Sequence, residues 1–199
     1  MTALVLSLVL FLFPLAYCPG PGNMFFVALG SRHGFASTIP PNLGYHLATL
    51  ISTFLIGLGL VSVIDPGSMV FELMKAAGSL YVLWLAYKML RAGADANEAG
   101  KGYGAGFRDG ALLLMLNPNV YVIILLMLTQ FAGAGPFDLL GQVALVTAVF
   151  TINNFLAFVL WTLAGDRLGS LFRGKSSAHM LNASFAAVLA GVALWMHLN

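Results

Sequence analysis

Two short segments of the sequence combine residues that interrupt a helix with side chains that form hydrogen bonds. They are Pro19-Gly20-Pro21-Gly22-Asn23 and Asn117-Pro118-Asn119. Proline removes a backbone donor and clashes with the preceding turn, and glycine adopts backbone angles that other residues avoid. An unwound segment exposes N–H groups that attract a carboxylate and C=O groups that attract an ammonium. This chemistry suits a zwitterionic ligand.

The three asparagines, Asn23, Asn117 and Asn119, add donors and acceptors without the desolvation cost of a buried charge. The alternative is that each segment is a mere kink, because Pro and Gly are common in membrane helices. One interruption alone favours the kink, whereas two interruptions at matching positions favour a binding site. The choice between a kink and a binding site therefore depends on whether the two segments lie in matching helices.

The composition identifies those elements as membrane helices. Of 199 residues, 60% are hydrophobic and 8% are charged, whereas a soluble domain carries about 25% charged residues. This excludes a soluble enzyme and a disordered chain. The net charge of +2 is too small for a nucleic-acid-binding face, and the single cysteine cannot form an internal disulfide. The remaining class is an integral membrane protein.

Six apolar stretches are each long enough to cross the hydrocarbon core, which takes about 20 residues of helix. The predicted spans are about 3–29, 40–63, 69–90, 109–131, 138–164 and 178–197. Backbone groups in lipid must pair internally, and these runs do not alternate as barrel strands do, so helices are expected. The predicted fold class is an all-α integral membrane protein with six transmembrane helices.

The basic residues orient these helices. Eight of the nine fall in the connections after spans one, three and five, and Lys75 alone falls on the opposite side. The positive-inside rule places those connections in the cytoplasm and both termini outside. The stretch 92–108, rich in Gly and Ala, is expected to be a cytoplasmic linker between two three-helix repeats, 1–91 and 109–199.

With three spans in each repeat, the second repeat lies inverted relative to the first. Each break then falls in the first helix of its repeat, which is the first or the fourth helix of the chain. Paired interruptions in matching helices of inverted repeats indicate a transport site near the membrane midplane. The sequence thus predicts a secondary transporter that works by alternating access and holds its substrate between the two breaks.

Other polar residues within the spans are further candidates. Asn42 and Tyr81 either line the site or hydrogen-bond neighbouring helices. His46 titrates near neutral pH, so it is either functional or bonded to an adjacent helix. Asn153 and Asn154 lie in the middle of a span, where at least one amide should face protein.

Enzymatic chemistry has little support in the sequence. No acidic residue lies deep in a span, and neither an HExxH nor a GxSxG motif is present, so His46 with a serine such as Ser52 is the weak basis for a membrane-embedded hydrolase. Residues 169–176 satisfy the phosphate-loop pattern, but they follow a membrane helix rather than a strand. We therefore expect no enzyme, no cofactor and no metal site.

Several of these residues form a pattern that resembles the LysE/RhtB family of bacterial amino-acid exporters. The matching pieces span about 15–120 in the family's order: Pro19-Gly20-Pro21, Gly30-x-x-x-Gly34, the run 74–87, Phe107-x-x-Gly110 and Asn117-Pro118. The resemblance implies export of amino acids or similar small metabolites across the bacterial inner membrane, driven by an ion gradient. It adds weight to Tyr81, which lies in the matching run.

The sequence departs from the family pattern in three places. Asn119 stands where the family usually has lysine, Gly22 separates Pro-Gly-Pro from the polar Asn23, and Pro40-Pro41 opens the second span. The missing lysine removes a cation from the expected site. The charge of the substrate and coupling to protons or another cation therefore stay open.

The expected partners are a small amino-acid-like substrate and the lipid bilayer. Small residues recur every four positions on span six, at Ala183, Ala187 and Gly191, and they pack either within the monomer or in a homodimer. The alternative function is a non-transporting membrane partner or scaffold protein.

Overall fold

A computed structural model describes residues 2–59, 69–94, 104–131, 137–171 and 175–198, and these residues form helices and no strand. Its α-helices are α1 (Thr2–Tyr17), α2 (Pro21–His33), α3 (Ile39–Gly57), α4 (Met69–Ala94), α5 (Phe107–Met115), α6 (Pro118–Phe131), α7 (Leu139–Leu171) and α8 (Lys175–Leu198). A single 3-10 turn, Phe35–Thr38, joins α2 to α3. The predicted all-α class is confirmed.

Helix interruptions are present at both predicted segments. The axes of α1 and α2 differ by 61°, and those of α5 and α6 differ by 67°. Pro21 opens α2 and Pro118 opens α6, which suits a residue whose fixed φ fits the first helical turn and whose missing N–H would be unpaired there. Gly20, before α2, has an extended backbone.

Long apolar helices make up most of this fold. Among the residues that the structure describes, α7 alone is long and apolar enough to cross a membrane as one helix, and up to three spans result if each bent pair counts as one. A shorter apolar helix, Ala76–Tyr87, lies within α4. Residues 60–63 of the second predicted span and 95–103 of the predicted linker lie outside the described residues.

Large apolar side chains cover the outside of the helices, as expected for a surface that faces lipid rather than water. Leu6 and Leu10 of α1 are exposed, and so are Leu156 and Leu160 of α7. The interior is also apolar, and its largest fully buried side chains include those of Phe25 and Phe26. Apolar surfaces inside and outside agree with a membrane protein.

Glycines bring two pairs of helices into close contact. A methyl group on Gly165 of α7 would overlap the carbonyl oxygen of Val27 in α2, and one on Gly169 would overlap that of Ser31. The contact between α3 and α5 is of the same kind, because a methyl group on Gly110 would overlap the Pro41 carbonyl oxygen. Small residues let membrane helices approach at backbone distance.

Candidate functional site

A cavity of about 400 Å³ lies between the two helix breaks. Its walls come from the end of α1, the start of α2, the start of α6, the middle of α7 and one residue of α3. The lining residues are Leu15, Ala16, Cys18, Pro19, Gly20, Pro21, Gly22, Asn23, Tyr45, Asn117, Asn119, Val120, Val122, Ile123, Leu126, Phe150, Asn154 and Phe158. Segments almost a hundred residues apart in the chain therefore share one site.

Seven of the eleven residues predicted to bind substrate line this cavity. They are Pro19, Gly20, Pro21, Gly22, Asn23, Asn117 and Asn119. The other four, Asn42, His46, Tyr81 and Pro118, are not among its lining residues. Binding itself stays a prediction for all eleven.

The Asn23 side chain holds the first break together. Its amide nitrogen donates to the carbonyl oxygens of Ala16, at 2.9 Å, and of Cys18, at 2.6 Å. These carbonyls lie at the end of α1, where the helix supplies no partners. Asn23 is only 4% exposed, and its Oδ1 atom has no hydrogen-bond partner. The break therefore keeps one buried acceptor without a partner in the chain.

Donors are also available at the start of α2. No side chain caps this helix, because the residue before it is Gly20. Pro21 has no N–H, so the first donors are the N–H groups of Gly22 and Asn23, and both residues line the cavity. A helix N-terminus favours an anion through these N–H groups and through the helix dipole.

At the second break, side chains form hydrogen bonds with both flanking helices. Asn117 Oδ1 accepts the backbone N–H of Asn119 at 3.2 Å, and this is the bond of an N-cap residue. The Tyr121 hydroxyl donates to the carbonyl oxygen of Met115, at the end of α5. Both the last turn of α5 and the first turn of α6 thus find side-chain partners within the chain.

His46 lies behind the cavity wall. Its Nδ1 is 2.9 Å from the carbonyl oxygen of Asn42, one turn earlier on α3, and its buried Nε2 has no hydrogen-bond partner. The ring packs edge-on against Phe158 and Phe155 at centroid distances of 5.1 and 5.3 Å. His46 thus contacts Phe158, which lines the cavity, but does not line the cavity itself.

Tyr81 has a different environment, at the contact of α4 with α5. Its hydroxyl donates to Oδ1 of Asp109 at 3.1 Å. Oδ2 of the same carboxylate accepts the N–H of Gly106 at 2.7 Å and so caps α5. The geometry gives Tyr81 a role in fixing the start of α5.

Sequence reasoning missed several walls of the cavity. Phe150, Asn154 and Phe158 recur every four residues on α7 and share one helical face. That spacing was visible around Asn154, which the sequence did single out. Tyr45 and the apolar residues of α6 carried no comparable signal, since such residues occur on every face of a membrane helix.

The chemistry of the cavity is that of an uncharged site. None of its lining residues is Lys, Arg, Asp, Glu or His. Within the described ranges, no group of three His, Cys, Asp or Glu side chains is placed to hold a metal ion. The site offers backbone donors, amide acceptors and aromatic surface, which suit a small molecule whose charges cancel.

Comparison with known proteins gives the family. The model of the LysE type translocator family matches residues 13–199. A homoserine/homoserine lactone efflux protein of Salmonella typhimurium is 22% identical over 178 residues, which cover 87% of this chain and 86% of that protein. A cysteine/O-acetylserine efflux protein of Salmonella choleraesuis is 29% identical over 163 residues, which cover 79% and 80%.

A membrane protein of Pseudomonas aeruginosa is 28% identical over 169 residues, or 79% of this chain and 77% of its own length. No solved structure matches the chain. The match along almost the whole chain confirms the family that the sequence motifs indicate. The chain belongs to the LysE type translocator family, and it is a membrane transporter rather than an enzyme.

Proposed function

We propose that this protein exports small amino-acid-like metabolites across the bacterial inner membrane by alternating access. The observation that carries the proposal is the cavity shared by the two helix breaks. The efflux proteins among its relatives support amino acids or their derivatives as the class of substrate. The substrate is held between Pro19–Asn23 and Asn117–Asn119.

The first break binds both charged groups of a zwitterionic substrate, its carboxylate and its ammonium. The carboxylate lies at the N-terminus of α2, near the N–H groups of Gly22 and Asn23. The ammonium donates to Oδ1 of Asn23, the buried acceptor that the fold leaves without a partner. Because the cavity wall carries no ionic side chain, an uncharged substrate side chain avoids the cost of an unpaired charge.

The topology that accompanies this function has six spans. We assign α1 with α2 to the first span, α5 with α6 to the fourth, and α3, α4, α7 and α8 to the others. Residues 1–91 and 109–199 are two inverted repeats joined by a cytoplasmic linker at 92–108, with both termini outside. A gradient of protons or another cation drives export, and the exposed residues Ala187 and Gly191 of α8 are the proposed homodimer contact.

The test uses the protein in liposomes with a panel of labelled amino acids. The panel contains serine, homoserine and cysteine, their lactone or acetyl derivatives, and lysine and glutamate as charged comparisons. We expect saturable flux of at least one uncharged member and little flux of the two charged ones. If no member moves and the protein co-purifies with one stoichiometric partner, the scaffold function replaces transport.

Cys18 provides a binding assay that does not depend on flux. It is the single cysteine of the chain, it is exposed, and it lines the cavity. A bound substrate should therefore slow its reaction with a maleimide, and a Cys18→Ser variant should show no labelling at all. Equal labelling rates with and without transported amino acids would contradict the placement of the substrate in this cavity.

A further inference from the structure

The ring of Phe158 forms part of the cavity wall. It packs against Tyr45 at a centroid distance of 4.6 Å, against Phe26 at 4.9 Å and against His46 at 5.1 Å. Phe158 and Tyr45 line the cavity, whereas Phe26 and His46 do not. Phe158 is therefore part of the cavity wall, and it packs against two buried rings that do not line the cavity.

Gly22 makes room for the ring. A methyl group at Gly22 would lie 2.7 Å from Cζ of Phe158 and 3.5 Å from the hydroxyl oxygen of Tyr45. The ring thus occupies space that any other residue would fill, directly against the first turn of α2. Since a well-packed interior leaves little freedom for such a ring, its position is fixed by α2 on one side and by α3 on the other.

The same ring adjoins the helix terminus that we assign to the substrate carboxylate. A substrate held there by Gly22 and Asn23 has its side chain in the remaining volume, between Phe158 and the apolar residues of α6. A longer side chain meets the ring, which is itself packed against Phe26, Tyr45 and His46. Phe158 accordingly limits the size of the substrate.

We infer that Phe158 is a specificity-determining residue, which excludes amino acids with bulky side chains by closing the cavity beside Gly22. This inference rests on the proposed function, because it concerns which amino acids the same site accepts. It adds a residue to the site that the sequence motifs do not include.

The experiment compares Phe158→Ala with Phe155→Ala. Both rings pack edge-on against His46, but only Phe158 lines the cavity. Flux of serine and of leucine is measured for each variant in liposomes. Because one methylene changes selectivity by roughly 10-fold or more in an apolar pocket, we expect Phe158→Ala to lower the preference for serine at least about tenfold. Phe155→Ala should keep the wild-type preference.

Protection of Cys18 is a second measurement, and it reports substrate binding even if the folded variant no longer transports. In Phe158→Ala, leucine should protect Cys18 from the maleimide, and in the wild type it should not. If Phe158→Ala does not yield folded protein, Phe158→Leu, which keeps an apolar side chain, should show a smaller change in the same direction.

The outcomes separate the two proposals. A wild-type protein that transports serine, together with a Phe158→Ala variant of unchanged preference and unchanged protection, overturns the role of Phe158 and leaves the proposed function standing. A wild-type protein that neither transports nor is protected by any amino acid overturns both. An equal loss of preference in Phe155→Ala would show that the effect comes from the packing around His46, and this also overturns the inference.

Discussion

Both helix breaks contain proline and asparagine, but side chains complete hydrogen bonds on one side of the first break and on both sides of the second. At the first break, the side chain of Asn23 satisfies carbonyls of the preceding helix and leaves the donors of α2 without a side-chain cap. At the second break, Asn117 caps the following helix, and Tyr121 satisfies a carbonyl of the preceding one. Both breaks line the same cavity, yet at the first break the following helix has no side-chain cap and the Oδ1 atom of Asn23 is buried without a partner.

The difference matters because a buried polar group without a partner costs free energy, and a ligand that supplies the partner removes that cost. We therefore propose that the charged groups of the substrate bind at the first break, whereas the second break mainly shapes the cavity and carries its apolar wall. Matched substitutions at the two asparagines and at two glycines test this assignment.

The largest effect is expected from Asn23→Ala. The change removes the proposed acceptor for the substrate ammonium and leaves the carbonyls of Ala16 and Cys18 without their donor. A hydrogen bond to a charged group contributes about 1.5–3 kcal/mol, so flux should fall at least roughly tenfold. Transport assays in liposomes measure this loss of flux. Protection of Cys18 from maleimide labelling tests whether the loss reflects weaker substrate binding. Flux close to the wild-type rate would refute the assignment of the first break.

Gly22→Ala should have the next largest effect. The added methyl group lies 2.7 Å from the Phe158 ring, whereas a methyl group at Gly20 meets nothing within 4 Å. Overpacking a tight interior costs about 1–3 kcal/mol, so Gly22→Ala should lower the thermal unfolding midpoint in detergent and Gly20→Ala should change it little. Equal midpoints for the two variants would mean that Phe158 moves aside freely.

Asn117→Ala should have the smallest effect on transport. It removes the cap of α6, and the loss of an N-cap costs about 1 kcal/mol of stability. We expect a lower unfolding midpoint with flux reduced less than in Asn23→Ala. Asn117→Ser should restore the midpoint, since a serine hydroxyl also accepts the N–H of the following turn. If Asn117→Ala loses more flux than Asn23→Ala, the second break rather than the first supplies the main contacts to the substrate.

The positions of the breaks were predictable because proline acts locally. Its missing N–H and its ring interrupt a helix whatever surrounds it, so Pro21 and Pro118 predict where α2 and α6 begin. The same holds for the family motif around Pro19 and Asn117, which rests on residue type and spacing. The resulting prediction placed seven residues along one cavity.

His46 and Tyr81 show where sequence reasoning ends. Each is a polar residue on a membrane helix, and its face relative to the cavity depends on how that helix is rotated. The structure packs His46 against Phe158, outside the cavity lining, and it pairs Tyr81 with Asp109, which caps α5. Neither partner adjoins its residue in sequence, so no local pattern revealed them.

The few charges and the two proline-containing segments predict a membrane protein whose helices break at defined positions, because charges are costly in lipid and proline interrupts a helix. The spacing of the family motifs adds the resemblance to a family of transporters. The amide acceptor that stays without a partner and the ring that packs beside Gly22 are visible in the tertiary structure alone. The reason is that both depend on atoms supplied by distant segments: Asn23 reaches back to α1, and Phe158 fits the space that Gly22 leaves open.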